Sequence, residues 1–259
     1  MIPIRDDNPT TLTPVVTVSL IVACVLVFLW QVSLPPSLAQ RAVYSYGLIP
    51  AVLVGEAELV AELAAIPASA SLFTSMFMHG GWLHLIGNML YLWIFGNNIE
   101  DSMGHLRFVI FYLLCGLGAA TAQVLQDPTS TVPMIGASGA IAGVLGAYLL
   151  LFPRAHVVVI IPFGILLYPL RVPSVLVLSV WFVMQFISSA ASAGQAGGVA
   201  YWAHIGGFVT GAVLILFFRR PGFPLFGGPR RVPLSGSLRP PQRPFRRRRR
   251  DDDDFGPWS

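Results

Sequence analysis

Long apolar runs with few charged side chains constrain this chain more than any other feature, because each run must be buried in lipid or in protein. The run at 14–34 has about the 20 residues that a helix needs to cross the hydrocarbon core of a bilayer. Hydrophobic residues make up 55% of the 259 residues and charged residues 11%, which is unlike a soluble globular domain. We therefore predict an all-α, polytopic membrane protein. Its six predicted spans are 14–34, 81–98, 107–126, 137–152, 172–190 and 201–218.

The first run is predicted to be a retained anchor rather than a cleaved signal peptide. The tetrapeptide "SLAQ" at 37–40 faintly resembles a cleavage site. The run is longer than a typical signal-peptide core, however, and only Arg5 precedes it.

A seventh apolar stretch, "VVVIIPFGILLYPL" at 157–170, is not assigned as a span. It has fourteen apolar residues, but Pro162, Gly164 and Pro169 interrupt it, so it is too short and too broken to cross as a helix. A re-entrant course and an interfacial course both remain open for this segment.

The arginines predict the orientation of the chain. With six spans and an inner N-terminus, fifteen of the sixteen arginines lie on the inner side and only Arg41 lies outside. A seventh span would place the arginine-rich C-terminal region outside, against the positive-inside rule. The predicted organisation is a short inner segment at 1–13, a membrane domain at 14–218 and a disordered inner tail at 219–259. The tail is either simply solvated or bound through its arginines to anionic lipid.

Four polar side chains stand out within the predicted spans, where polar groups are costly and often functional. His84 and Asn88 are four residues apart and therefore share one face of the second span. Ser138 begins the fourth span and His204 lies near the start of the sixth. Because these three spans all run from the outer to the inner side, the four residues are predicted to lie in one shallow layer below the outer surface. Gln123 and Gln185 are further polar residues within spans.

Glycines at helical spacing accompany these polar residues. Gly207 and Gly211 share a face with His204, and the fourth span carries a matching stripe in Gly139, Gly143 and Gly146. Small residues at this spacing let two helices approach closely. The stripes therefore predict contact between the fourth and sixth spans, which would bring Ser138 towards His204.

Simpler roles exist for each residue taken alone. A serine at the start of a helix is commonly an N-cap, and an intramembrane histidine is often a hydrogen-bond partner between helices. His79, His84 and His204 are also possible ligands for zinc or copper, but no carboxylate lies in a span to complete the set, so we predict no metal. The same lack of carboxylates means that a serine hydrolase built from these residues has a Ser–His dyad rather than a triad.

Several ordered motifs between about residues 46 and 218 resemble the rhomboid family of intramembrane serine proteases. H-x-x-x-N, G-x-S-G and A-H-x-x-G-x-x-x-G occur in order, each on the expected span. The motifs are "YGLIPA" (46–51), "TSMFMHGGWLHLIGNM" (74–89), "EDSMGHLRF" (100–108), "GASGAIAG" (136–143) and "AHIGGFVTG" (203–211).

The resemblance implies a function for each of these residues. Ser138 is the implied nucleophile and His204 the implied general base, with His84 and Asn88 as side-chain oxyanion donors. The site-shaping glycines are Gly136, Gly139, Gly207 and Gly211. Glu100 and Arg107 match a motif that looks structural in the family.

The resemblance also implies the surroundings of the site. It implies a water-filled cavity open to the outer face and covered by the loop at about 191–200. The expected partners are transmembrane protein substrates and the lipid bilayer; no cofactor, metal or nucleic acid is expected. The expected location is a bacterial inner membrane with both termini cytoplasmic.

The sequence departs from the family pattern at two places. Some relatives carry an aromatic residue four positions after the serine, where its ring stacks under the catalytic imidazole, whereas this chain has Ala142. Some relatives also carry a Trp-Arg pair in the first outer loop, where this chain aligns near Ala70 and Ser71. The first departure leaves the orientation of His204 open, and the second leaves details of the outer loop open.

Two other functions, client binding without cleavage and solute transport, are alternatives to proteolysis. A non-catalytic relative that binds transmembrane clients need not keep both dyad residues, and this chain has both. A small-solute transporter is expected to carry a charged residue deep in a span or inverted repeats, and we find neither. The natural substrate, its cleavage position and the oligomeric state do not follow from the sequence.

Overall fold

Helices form at the positions of the apolar runs. A computed structural model describes residues 2–163, 166–191 and 200–228 of the 259-residue chain. Among the described residues, four helices are long and apolar enough to cross a membrane. They are α1 (Val15–Ser33), α7 (His105–Gln126), α9 (Ser174–Ala191) and α10 (Tyr201–Phe218).

Two further apolar segments are helical but do not meet that criterion. One runs without a break through α5 (Trp82–Tyr91), a π-helical turn (Leu92–Gly96) and α6 (Asn97–Met103). The other is α8 (Ser138–Leu151), with 14 residues. Both coincide with predicted spans, and the count of six membrane crossings stays a prediction. The segment between α1 and α5, predicted to be an outer loop, has the short helices α2 (Pro36–Tyr46), α3 (Pro50–Leu53) and α4 (Ser71–Thr74), with 3₁₀ turns at Ala68–Ala70 and Ser75–Phe77.

A three-stranded antiparallel sheet corrects the prediction that the chain is all-α; it is mostly helical. The strands are β1 (Ile2–Asp6), β2 (His156–Phe163) and β3 (Leu166–Pro173), in the order β1-β2-β3. The described parts of the segment 157–170 are thus two paired antiparallel strands, and Ile160 pairs with Ile2 of the N-terminal strand. Its β-branched run favours an extended backbone. Because β3 is an edge strand, its free peptide groups need water, so we place the sheet outside the hydrocarbon core.

Two buried acidic residues of α6 hold the start of α1. The Glu100 carboxylate accepts hydrogen bonds from the backbone N–H groups of Val16 (2.9 Å) and Thr17 (2.8 Å) and from the Thr17 hydroxyl (2.6 Å). The neighbouring Asp101 accepts hydrogen bonds from the backbone N–H groups of Thr11 and Leu12. The two carboxylates thus satisfy backbone N–H groups in the first turn of α1 and in the segment that leads into it.

The first residues after α10 pack on the same end of the bundle as α6. The Arg220 backbone N–H donates to the Ser102 carbonyl, and its guanidinium lies 3.7 Å from the Asp101 carboxylate. Phe223 is 5% exposed, and the Phe226 N–H donates to the Leu150 carbonyl. The predicted disordered tail therefore begins with ordered residues through Gly228. Residues 229–259 lie outside the described residues, so their predicted disorder stays a prediction.

Glycines bring the backbones of α8 and α10 into direct contact. A Cβ atom added at Gly211 would overlap the carbonyl oxygen of Gly143, and one at Gly207 would overlap that of Gly139. On its other side, Gly143 packs on Cys115 of α7. The glycine stripes thus act as the sequence predicts, and α10 also packs directly on α7, where a Cβ at Gly206 would overlap Ala122.

We expect Gly211→Ala to destabilise the protein by about 1–3 kcal/mol, because its methyl group meets backbone atoms that cannot rotate away. Thermal unfolding in detergent measures this. Gly87→Ala is the matched control, since a Cβ there meets nothing within 4 Å and alanine is the better helix former. A midpoint for Gly211→Ala equal to that of Gly87→Ala would contradict the close contact.

Asp6 links the sheet to the helices and generates a pH-dependent prediction. Its carboxylate accepts hydrogen bonds from the Tyr148 hydroxyl (2.6 Å) and from the Asn98 amide (2.8 Å). Burial, with a smaller effect of the neighbouring Asp7, raises the pKa of Asp6 to about 6. A raised carboxyl pKa means that the folded state binds the proton more tightly than the unfolded state, so stability falls as pH rises towards 6.

We therefore expect Asp6→Asn to stabilise the protein relative to wild type more at pH 7.5 than at pH 5. The measurement is the difference in unfolding midpoint between the two proteins at each pH. Asp127→Asn, at an exposed loop position, is the control and is expected to show no such change. A midpoint difference that is the same at both pH values would argue against titration of Asp6.

Candidate active site

The four polar residues predicted to converge line one cavity of about 610 Å³. Ser138 comes from the first turn of α8, His204 from the first turn of α10, and His84 and Asn88 from α5. In the described part of the cavity wall, none of the lining residues is acidic. A negative charge that develops there faces no acidic side chain in this part of the wall.

Ser138 and His204 are in hydrogen-bonding contact. The Ser138 Oγ atom lies 2.8 Å from the His204 Nε2 atom. His204 is 8% exposed, and Ser138 is partly exposed to the cavity. A hydroxyl paired in this way with a neutral imidazole is arranged to transfer its proton as its oxygen attacks an electrophile.

Gln185 of α9 contacts the other nitrogen of the same imidazole. Its Oε1 atom lies 2.8 Å from the His204 Nδ1 atom, and its Nε2–H donates to the Trp181 carbonyl at 2.9 Å. Sequence reasoning noticed Gln185 only as a polar residue within a span and gave it no role. The available signal was a single amide side chain in a helix that otherwise carries only apolar residues and serines.

Two aromatic rings accompany His204. The Trp181 ring centroid lies 5.7 Å from that of His204 with the planes 37° apart, and the Tyr201 ring lies edge-on at 6.5 Å. Ala142, four positions after Ser138, has no ring to place beside the imidazole and is fully buried. The neighbouring rings thus come from α9 and α10 rather than from α8.

His84 and Asn88 present nitrogen atoms to the cavity beside Ser138. The His84 Nδ1 atom accepts a hydrogen bond from the Gly80 N–H (3.3 Å), so Nε2 carries the proton. Among the described residues, the buried Asn88 Nδ2 atom has no hydrogen-bond partner. Two N–H donors therefore face the space next to the serine without a protein acceptor to occupy them.

Gly136 allows this approach. Its φ is +126°, a backbone conformation that favours glycine, and a Cβ there would lie 2.7 Å from His84 Cε1 and 2.8 Å from its Nε2. The Gly136 N–H donates to the Ser75 carbonyl, and Met134 pairs with Leu48 of the outer loop in a β-bridge. The segment that leads into Ser138 is thus tied to the outer loop on both sides of Ile135.

The predicted cover of the cavity, the loop at about 191–200, falls mainly outside the described residues, which omit 192–199. Of the two described residues that flank 192–199, Ala200 lines the cavity.

Comparison with known proteins adds a family. The family model of the rhomboid domain matches residues 68–221, which include the four polar residues of the cavity. Rhomboid protein 1, mitochondrial, of Saccharomyces cerevisiae is 31% identical over 157 residues, covering 57% of this chain and 41% of the relative. Rhomboid-like protein 11, chloroplastic, of Arabidopsis thaliana is 30% identical over 159 residues (58% and 52%). Rhomboid protease GluP of Bacillus subtilis is 41% identical over 78 residues (30% and 15%).

These matches cover about half or less of each relative, so the chain corresponds to part of each of these proteins. The family match and the apolar helices identify an integral membrane protein. Relatives come from mitochondria, chloroplasts and a bacterium, so they do not support the expected bacterial inner membrane. The match extends over more than half of the chain, and the chain therefore belongs to the rhomboid family.

Proposed function

We propose that this protein is an intramembrane serine endopeptidase that cuts peptide bonds in or near transmembrane segments of other proteins. The observation that carries the proposal is the 2.8 Å contact between the Ser138 hydroxyl and the His204 imidazole, with N–H donors beside it in the same cavity. A relative of the chain is named a rhomboid protease, which supports the same reaction.

In the proposed mechanism, the Ser138 oxygen attacks the carbonyl carbon of the scissile peptide bond while His204 Nε2 takes the hydroxyl proton. The resulting tetrahedral oxyanion accepts hydrogen bonds from His84 Nε2–H and Asn88 Nδ2–H. His204 then gives its proton to the leaving amine, and an acyl-enzyme on Ser138 remains. Water, activated by His204 in the same way, hydrolyses this ester and regenerates the serine.

The substrate must expose its backbone to reach the serine. A transmembrane helix satisfies its own carbonyl groups, so the scissile bond becomes available only where the helix unwinds locally. We therefore infer substrates with small or helix-weakening residues near the outer membrane surface. The cavity has a mostly apolar lining that brings the four polar side chains together, and it leaves room for an unwound segment and the hydrolytic water.

The proposed topology has six membrane crossings with residues 2–13 and 219–228 on the inner side. Support comes from the packing of both segments on α6, through Asp101 with Thr11 and Asp101 with Arg220. The arginine distribution supports the same orientation. Ser138, His204, His84 and Asn88 then lie near the outer surface.

We expect purified wild-type protein in detergent to cleave a single-span test substrate and to react with a fluorophosphonate at Ser138. Ser138→Ala should abolish labelling and reduce cleavage by at least about 10³-fold, because the nucleophile is lost. Ser19→Ala, on the exposed side of α1, is the matched serine control and should cleave like wild type.

Equal cleavage by wild type and Ser138→Ala would reject the proposed nucleophile. A non-catalytic client-binding protein would instead retain the substrate in pull-downs with both proteins and cleave it with neither.

We expect Asn88→Ala and His84→Ala each to lower kcat by about 10²–10³-fold, because each removes a donor that is needed most in the transition state. KM should change little, since the ground-state carbonyl carries less charge than the oxyanion. Steady-state kinetics with the test substrate measures both constants, and unfolding midpoints near that of wild type exclude misfolding. A change confined to KM would assign these residues to substrate binding instead.

A further inference from the structure

A chain of hydrogen bonds continues from Ser138 through His204 into α9. His204 Nε2 contacts the Ser138 hydroxyl at 2.8 Å, and His204 Nδ1 contacts Gln185 Oε1 at 2.8 Å. The Gln185 amide nitrogen in turn donates to the backbone carbonyl of Trp181 at 2.9 Å. Three helices, α8, α10 and α9, are thereby joined through one imidazole.

The last bond in this chain fixes the orientation of the Gln185 amide. A backbone carbonyl can only accept a hydrogen bond, so the group facing Trp181 must be the amide N–H and not the amide oxygen. The oxygen is therefore the group that faces His204. An oxygen can only accept, so Nδ1 of His204 must carry the proton.

This tautomer is the one that the proposed chemistry requires. With the proton on Nδ1, the Nε2 atom has a free lone pair directed at the Ser138 hydroxyl. In the opposite tautomer Nε2 would carry a proton and could not act as the base. An accepting group on Nδ1 also stabilises the positive charge that appears on the ring when Nε2 takes the serine proton.

Packing holds Gln185 in place. Its side chain is 8% exposed, and it is one of only four buried residues on α9. The Trp181 ring lies between its own helix and α10, 5.7 Å from His204 and stacked at 6.2 Å on Phe208. Thus α9 supplies both the hydrogen-bond acceptor and the ring beside His204, while Ala142 of α8 supplies neither.

We propose that Gln185 is a positioning residue for His204, which holds the imidazole in the Nδ1–H tautomer and in the orientation that accepts the serine proton. This inference rests on the proposed function of Ser138 and His204. A neutral amide suits a site at membrane depth, because it avoids the desolvation of an unpaired carboxylate while it accepts the same hydrogen bond. The site is then a serine–histidine–glutamine array in place of a bare dyad.

The kinetic test compares two substitutions of similar size. Gln185→Met removes the acceptor, and we expect kcat for the test substrate to fall on the order of 10²-fold with KM unchanged, because only the general base is impaired. Gln185→Glu keeps an oxygen acceptor and should recover most of that loss. Gln123→Met on α7 is the matched control, since the Gln123 Oε1 atom has no hydrogen-bond partner among the described residues.

A second measurement reads the tautomer without any need for catalysis. In protein labelled with ¹⁵N-histidine, the chemical shifts of the two ring nitrogens report which one is protonated. The chain has five histidines, and the His204 signals are those missing from His204→Gln. We expect the Nδ1–H form in wild type, Gln185→Glu and Gln123→Met, and a mixture or the Nε2–H form in Gln185→Met.

The outcomes separate this inference from the proposed function. A Gln185→Met protein with wild-type kcat or with the wild-type tautomer would overturn the positioning role, even if Ser138-dependent cleavage is intact. Failure of wild type to cleave in a Ser138-dependent manner would overturn the proposed function, and the ¹⁵N spectra would still decide whether Gln185 sets the tautomer of His204.

Discussion

The direct backbone contact between α8 and α10 is the constraint on which the rest of the site depends. Lipid tails are as apolar as leucine side chains, so helices in a bilayer gain little from burying apolar surface against one another. Association rests on close packing, and glycine permits the closest packing. Where Gly211 meets Gly143 and Gly207 meets Gly139, there is no room for a single methyl group. This close approach of the two backbones leaves 2.8 Å between the Ser138 hydroxyl and the His204 imidazole in the first turns of α8 and α10.

Polar contacts at both ends of α1 hold this helix to the rest of the bundle. Only four of the 19 residues of α1 are buried, so apolar packing alone fixes it poorly. At its N-terminal end Glu100 caps its first amides. At its C-terminal end the Gln31 amide exchanges two hydrogen bonds with the backbone of His79, at 3.0 Å and 3.3 Å. The His79 ring contacts that of His84 with centroids 5.2 Å apart, so the C-terminal end of α1 supports the wall of the cavity that holds the proposed oxyanion donors.

Sequence reasoning succeeded where one physical pattern had one structural solution. Spacing of four residues puts His84 and Asn88 on one face, and parallel span directions put Ser138 and His204 at one depth, so their convergence was predictable. The pairing of β2 with β1 and β3 was not predictable, because a short apolar run suits a strand as well as a helix. In addition, β1 lies about 155 residues from β2 in the sequence. The role of Gln185 was also not predictable from the sequence. Apolar residues occur all round α9, so its sequence does not tell which face turns towards His204.

N–H donors that have no protein acceptor among the described residues distinguish this cavity from a packing defect. Among the described residues, the Asn88 amide N–H has no protein acceptor, and Asn88 lines the cavity. Rotation of α5 or a shift of the segment at Gly136 would move the donors away from Ser138, but both are restrained. His84 is held by Gly80, and Gly136 by Ser75 and by the outer-loop bridge between Leu48 and Met134. The fold thus keeps N–H donors fixed at the place where the proposed reaction creates a negative oxygen, so little reorganisation is needed when that charge appears.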